Sequence, residues 1–259
     1  SFPFLSRFYG RLTRIRRPRF LVRFVINRFA SHYQVNMDHY LGSKEDYRSL
    51  SDFFVRPLDP ETRPLTPDPA FILSPCDGTV ADLQLISQDQ AVQAKGKTYR
   101  ISELIGRDLE WSKEWWLCTL YLSPADYHRF HYPWSGQLLE VFQLGNRLYP
   151  VNRHGVGSIS NLFIRNERLV LSFEKAGEPC FAVAVGATFV GSVALCALNN
   201  RTLPRGVVVV DKAVRQTEEM GRFNLGSTII LLLPGASVSP LSTTGEAITT
   251  GQPLFKNNR

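Results

Sequence analysis

Gly226-Ser227-Thr228-Ile229-Ile230-Leu231-Leu232-Leu233-Pro234 opens on a glycine–serine pair, runs through a block of large aliphatic residues and stops at a proline. The apolar block is far below the roughly 18 residues that span a bilayer. It has the length of a strand buried on both faces. Working outward, short β-branched and aromatic runs recur between Gly, Pro, Asn and Asp at 79–86, 115–122, 137–144, 168–173, 181–185, 188–195, 207–210 and 228–233. Strand-length runs punctuated by turn residues predict an antiparallel β domain. Residues 101–105 read as a small helix, and no internal repeat or low-complexity tract interrupts the pattern.

The start of the chain has a different texture. Arg7, Arg11, Arg14, Arg16, Arg17, Arg19, Arg23 and Arg28 precede the first acid, Asp38, and Phe and Leu residues are interleaved with them. Leu21, Phe24, Val25 and Phe29 follow helical spacing, with Arg23 and Arg28 to the side and Pro18 separating an earlier segment. Basic side chains opposite Phe and Leu describe a helix lying in a membrane interface. A helix packed on its own domain and a nucleic-acid-binding arm are the alternatives that composition leaves open. A second short helix is predicted over 47–55, with Ser51 or Asp52 near its start. Pro57, Pro60, Pro64, Pro67 and Pro69 then form a connector. The fold class is therefore α+β, with N-terminal amphipathic helices over 1–58 and a β-rich, mainly antiparallel domain over 70–259.

Across 259 residues, 44% are hydrophobic and 20% charged, which excludes a disordered chain. The net charge of +7 suits an anionic partner, a lipid surface or a nucleic acid. The early arginines are not followed by a clean apolar stretch and a small-residue cleavage site, so no signal peptide is expected. Cys76, Cys118, Cys180 and Cys196 are scattered without a Cys-x-x-Cys pair. They read as buried free thiols, and no metal is expected.

Three segments bear side chains that chemistry could use. Ser74-Pro75-Cys76-Asp77-Gly78 carries an Asp-Gly turn before a strand. Asp126-Tyr127-His128-Arg129-Phe130-His131 holds two of the five histidines in what reads as a short loop between Pro124 and Pro133. The third is the Gly226-Ser227 pair. A glycine upstream leaves its carbonyl unhindered, so a deprotonated Ser227 hydroxyl could attack it and turn the amide into an ester. That reaction needs a nucleophile, an activating histidine, an orienting carboxylate and oxyanion donors. Ser227, His131 and Asp77 supply the first three, and chain order is immaterial to such a triad.

Together these segments resemble the phosphatidylserine decarboxylase family. The resemblance also covers Tyr47-Arg48-Ser49-Leu50-Ser51-Asp52-Phe53-Phe54-Val55-Arg56-Pro57-Leu58 and Asn161-Leu162-Phe163-Ile164-Arg165-Asn166-Glu167-Arg168. It continues through Val185-Gly186-Ala187-Thr188-Phe189-Val190-Gly191-Ser192-Val193 and Glu219-Met220-Gly221-Arg222-Phe223-Asn224-Leu225-Gly226-Ser227-Thr228. Tyr-His-Arg-x-His and Leu-Gly-Ser-Thr, in this order and separation, are its most specific parts. One departure is Pro150, where relatives are expected to carry a small hydroxyl residue before Val151-Asn152.

The resemblance implies a membrane-associated, self-cleaving precursor of the bacterial type. Asp77 would orient His131, which would activate Ser227 against Gly226. Cleavage would give a β chain, 1–226, and an α chain, 227–259, capped by a pyruvoyl group (a pyruvic acid residue) made from Ser227. That group would form a Schiff base with phosphatidylserine and act as the electron sink for loss of carbon dioxide, giving phosphatidylethanolamine. His128 would contact the substrate carboxylate or deliver a proton. The implied partners are phosphatidylserine, an anionic membrane surface on the cytoplasmic side of the cell membrane, and the two cleaved chains as a heterodimer. A homodimer of that unit stays open, and nucleic acid is not expected.

Overall fold

The computed structural model describes residues 13–187, 193–199, 206–223 and 227–258. The apolar run forms the strand Ser227–Pro234, and every residue in it is buried. It pairs antiparallel with Trp115–Leu122 on one side and with Glu178–Val185 on the other. Alternation sends Ile229, Leu231 and Leu233 into one core, with Phe130, Trp134 and Phe223. Ile230 and Leu232 enter the core on the opposite face, with Leu104, Phe163 and Phe181. Burial of one such side chain contributes about 1.5–3 kcal/mol. The strand is thus held by its neighbours on both sides.

The sheet has eight strands, in the order Gly206–Val214, Gly136–Leu144, Arg168–Lys175, Glu178–Val185, Ser227–Pro234, Trp115–Leu122, Gly78–Ile86 and Ala247–Ile248. All its pairings are antiparallel, as the alternating runs predict. The short helices Ile101–Ile105, Arg153–Ser158 and Leu162–Arg165 lie with one face's core. A three-stranded sheet, Val193–Leu195, Glu219–Phe223 and Arg129–His131, packs against the other. His131 therefore sits on a strand, where the sequence between two prolines reads as a loop; pairing with Glu219 overrides the local signal. Of the strand expected over 188–195, only Val193–Leu195 falls among the described residues. Cys196 is only partly buried, whereas the other three cysteines are buried as expected, and all four are free.

The N-terminal region corrects two expectations. The helix Arg19–His32 buries Val22, Ile26 and Ala30 against Tyr47 and Phe53. Of the apolar stripe expected to face a membrane interface, Phe29 instead turns inward, with its ring against Tyr33, Phe53 and Phe54. Phe20 and Phe24 are 74% and 65% exposed, and Leu21 and Val25 are exposed beside them. The helix has two apolar faces, and tertiary packing uses the narrower one. The second helix is Leu50–Phe54, shorter than expected. Ser49, not Ser51 or Asp52, caps it by accepting from the Asp52 amide at 3.1 Å. No helix among the described residues is long and apolar enough to cross a membrane.

Candidate active site

The three chemistry-bearing segments converge at one end of the large sheet. Thr79 and Thr228 both pair with Tyr121, from opposite sides of the strand Trp115–Leu122. Asp77 and Ser227 therefore flank the end of that strand, and the chain leaving it at Ser123 carries both histidines. Close approach is built into the backbone here. Gly78 has φ +150°, and a Cβ on it would lie 2.2 Å from the Tyr121 carbonyl oxygen. The His131 amide donates to the Pro75 carbonyl at 2.8 Å, and the Phe223 amide donates to the His128 carbonyl at 2.9 Å. These two bonds tie the histidines to the Asp77 segment and to the strand that leads toward Ser227.

The Asp77 carboxylate is buried and saturated. Arg63 donates to both its oxygens, at 2.8 and 2.5 Å, and the Thr250 amide and hydroxyl each donate at 2.8 Å. Burial would raise its pKa, but the Arg63 guanidinium and the Thr250 donors outweigh burial and hold it below the usual carboxylate range. His131 is oriented by a different group. Its Nδ1–H donates to the Thr217 carbonyl at 2.7 Å, which leaves Nε2 to accept from the Tyr127 hydroxyl at 2.9 Å. Among the described residues Asp77 makes no hydrogen bond to His131, and its negative charge acts on the imidazole through space. Burial pushes the His131 pKa down, so the ring is neutral near pH 7.

His128 is fully buried. Its Nδ1–H donates to the Asp126 carbonyl at 2.8 Å, and its Nε2 has no partner among the described residues. Burial takes its pKa down to about 3. Among the described residues the Ser227 hydroxyl and Arg56 Nε are likewise buried without a partner in this region. Leaving such a group unsatisfied costs about 1–3 kcal/mol, and such costs concentrate where groups are used. The structure thus brings Asp77 within electrostatic reach of both histidines and places Ser227 at the end of the neighbouring strand, and among the described residues no hydrogen-bonded chain joins the four. Gly226 lies outside the described residues.

Sequence reasoning passed over Tyr127, Thr217, Arg63 and Thr250, all of which bind the residues it named. Tyr127 sits inside the Asp-Tyr-His segment, so it was the one open to discovery. On the other face of the sheet, Thr79, Asp82, Thr119, Tyr121, Thr228 and Arg153 help line a cavity of about 510 Å³. Thr228 faces that cavity, while alternation turns Ser227 toward the histidines.

A neutral His131 has a consequence for pH. If it serves as the base, self-cleavage requires its unprotonated form. Because burial lowers its pKa from the ordinary value of about 6.5, that form persists below pH 6.5. The rate of cleavage of freshly refolded precursor should therefore fall to half its plateau only at a pH below 6.5. A decline centred at or above pH 7 would remove His131 from that role.

Comparison with known proteins gives one consistent result. The family model for phosphatidylserine decarboxylase matches residues 50–256. A phosphatidylserine decarboxylase proenzyme of Brevibacillus brevis is 41% identical, over 82% of this chain and 79% of its own length. The proenzymes of Salmonella paratyphi B and Salmonella newport are each 36% identical, over 92% of this chain and 80% of their own lengths.

Proposed function

This chain belongs to the phosphatidylserine decarboxylase family, and from that premise we propose that it is a zymogen that cleaves itself before Ser227 and then decarboxylates phosphatidylserine. The observation that carries the proposal is the Ser227 hydroxyl, buried and without a partner among the described residues, at the head of a strand paired on both sides. A group destined for conversion fits there, since no native hydrogen bond is lost when its oxygen leaves.

In this reading Ser227 Oγ attacks the Gly226 carbonyl carbon, and the Gly226–Ser227 C–N bond breaks to give an ester. Loss of the Ser227 Cα proton with cleavage of Cβ–Oγ releases 1–226 as a carboxylate and leaves dehydroalanine at 227. Water then replaces nitrogen, which departs as ammonia, and a pyruvoyl group remains. His131 takes the hydroxyl proton once Tyr127 gives up its hold on Nε2. Asp77 supports the charge that develops on the ring. When in place, the pyruvoyl group supplies an electrophilic ketone for the substrate amine and a conjugated carbonyl that takes up the electron pair left by carbon dioxide.

The chain's own residues do the rest. His128 is neutral with its Nε2 lone pair bare, so that nitrogen would accept a hydrogen bond from the substrate ammonium and orient it in the site. Ser227 and Thr228 are buried, and burial at this end of the strand would remove water from the carboxylate that leaves. The test is intact mass under denaturing conditions. Two fragments divided between residues 226 and 227, the smaller carrying pyruvoyl, support the reading. A folded, full-length chain alone overturns it.

Residues 1–58 then form the membrane-associating part and 70–259 the catalytic part, working as a peripheral protein on an anionic, cytoplasmic leaflet. What supports this is the exposed set Phe20, Leu21, Phe24 and Val25 beside Arg16, Arg17, Arg19 and Arg23. Phenyl groups enter the headgroup boundary, and each arginine near an anionic surface adds about 1 kcal/mol. Replacing both Phe20 and Phe24 by serine should weaken sedimentation with phosphatidylglycerol vesicles at least about tenfold while leaving self-cleavage intact. Unchanged sedimentation would place the docking surface elsewhere.

A further inference from the structure

Arg56 is fully buried, yet among the described residues no carboxylate pairs with it. Its Nη2 donates to the carbonyls of Ala125 at 2.5 Å and Asp126 at 3.2 Å, and its Nη1 to that of Phe53 at 3.5 Å. Its guanidinium lies 4.2 Å from the centre of the Tyr40 ring and 5.3 Å from that of Phe53. Its Nε is buried without a partner. Burying a cation in this way costs several kcal/mol that carbonyls and aromatic faces only partly offset. Fastening the N-terminal segment to the histidine segment does not require it. Arg129 already does so, through Nε to the Val55 carbonyl at 2.8 Å, while its Nη1 meets Glu219 at 2.8 Å.

What Arg56 alone reaches is the Asp126 carbonyl, the same oxygen that accepts from His128 Nδ1. We infer that Arg56 is a positioning residue for His128, holding the carbonyl that keeps the proton on Nδ1 and the Nε2 lone pair bare. Phe54 completes the mount, with its ring 3.9 Å from the imidazole. The charges around His128 agree with a neutral ring. Arg56 disfavours its protonation and Asp77 favours it, while the Asp126 carboxylate is turned back to the Ser123 amide at 2.6 Å. The inference rests on the decarboxylase reading for the reaction that His128 serves, but the geometry of the mount does not.

The experiment follows the ring nitrogens of His128 by NMR in mature enzyme labelled with ¹⁵N-histidine, alongside steady-state kinetics on phosphatidylserine in mixed micelles. Wild-type His128 should show the Nδ1–H tautomer at neutral pH. Arg56→Lys keeps the charge but loses the fork that spans two carbonyls. It should self-cleave, keep KM within about twofold and lose at least about tenfold in kcat. Its His128 signals should move toward a mixture of tautomers. A merely structural arginine would lower the melting temperature and leave both tautomer and kcat in place, which would overturn the inference. So would an Nε2–H tautomer or an imidazolium in the wild type, a measurement that stands even if Arg56→Lys does not fold. Wild-type enzyme with the expected tautomer but no activity on phosphatidylserine would count against the substrate reading instead.

Discussion

Ser227→Ala protein is expected to purify as one uncleaved chain of 29.3 kDa and to decarboxylate no phosphatidylserine. The effect should exceed that of losing an ordinary catalytic side chain. Removing a base or an oxyanion donor typically leaves residual catalysis. Removing Ser227 removes both the nucleophile for cleavage and the atoms from which the electrophile is made, so activity should fall below detection. Stability should move the other way. The Ser227 hydroxyl is buried without a partner, and replacing it by hydrogen removes a desolvated polar group at almost no cost in volume. The variant should melt at or above the temperature of freshly refolded, uncleaved wild-type precursor, the pattern of a site that gives up stability for function. Intact mass, a lipid decarboxylation assay and a thermal melt read all three outcomes. Cleavage in Ser227→Ala would overturn the site assignment. An uncleaved but active variant would overturn the pyruvoyl reading while sparing the substrate.

How much of this was legible beforehand depends on the range of each interaction. The central strand was plain because an unbroken apolar block carries its own signature, and both neighbours bury it. The antiparallel pattern followed from strand-length runs between turns. The strand at His131 was not legible, because it exists through pairing with Glu219. The same holds for the polar partners. Asp77, His131 and Ser227 could be named from local motifs and family resemblance, but what holds them could not. Thr217 lies 86 residues beyond His131, and Thr250 lies 173 beyond Asp77. Arg63 stood in a proline-rich stretch that reads as mere connection, yet it makes the bidentate contact to Asp77. The helix Arg19–His32 was legible only in part. Two apolar stripes compete on it, and helical spacing cannot say which one the domain will cover.

Asp77→Asn is expected to do two separable things. The first is structural. The side chains of Arg63 and Asp77 are only 17% and 12% exposed, so an amide in place of the carboxylate leaves a largely buried guanidinium without its counter-charge. Breaking a pair at this depth should cost about 3 kcal/mol. The cost has a pH signature. Asp77 has a depressed pKa in the folded protein, so its stabilising contribution is present above the unfolded value of about 3.9 and disappears as pH falls through the folded value. The difference in melting temperature between wild type and variant should be constant from pH 8 to about 5 and narrow below pH 4. The second effect is chemical. Asp77 is one of two carboxylates whose charge favours a protonated His131, Glu219 being the other, so its loss removes part of the support for the imidazolium that forms during cleavage, and cleavage should slow at least about tenfold. The double variant Arg63→Gln/Asp77→Asn tells the two apart. With both charges gone and two amides able to bond to each other, stability should largely return, because the penalty came from the orphaned cation. Cleavage should not return, because the missing charge is still missing. If cleavage recovers along with stability, Asp77 serves the fold alone and His131 works without it.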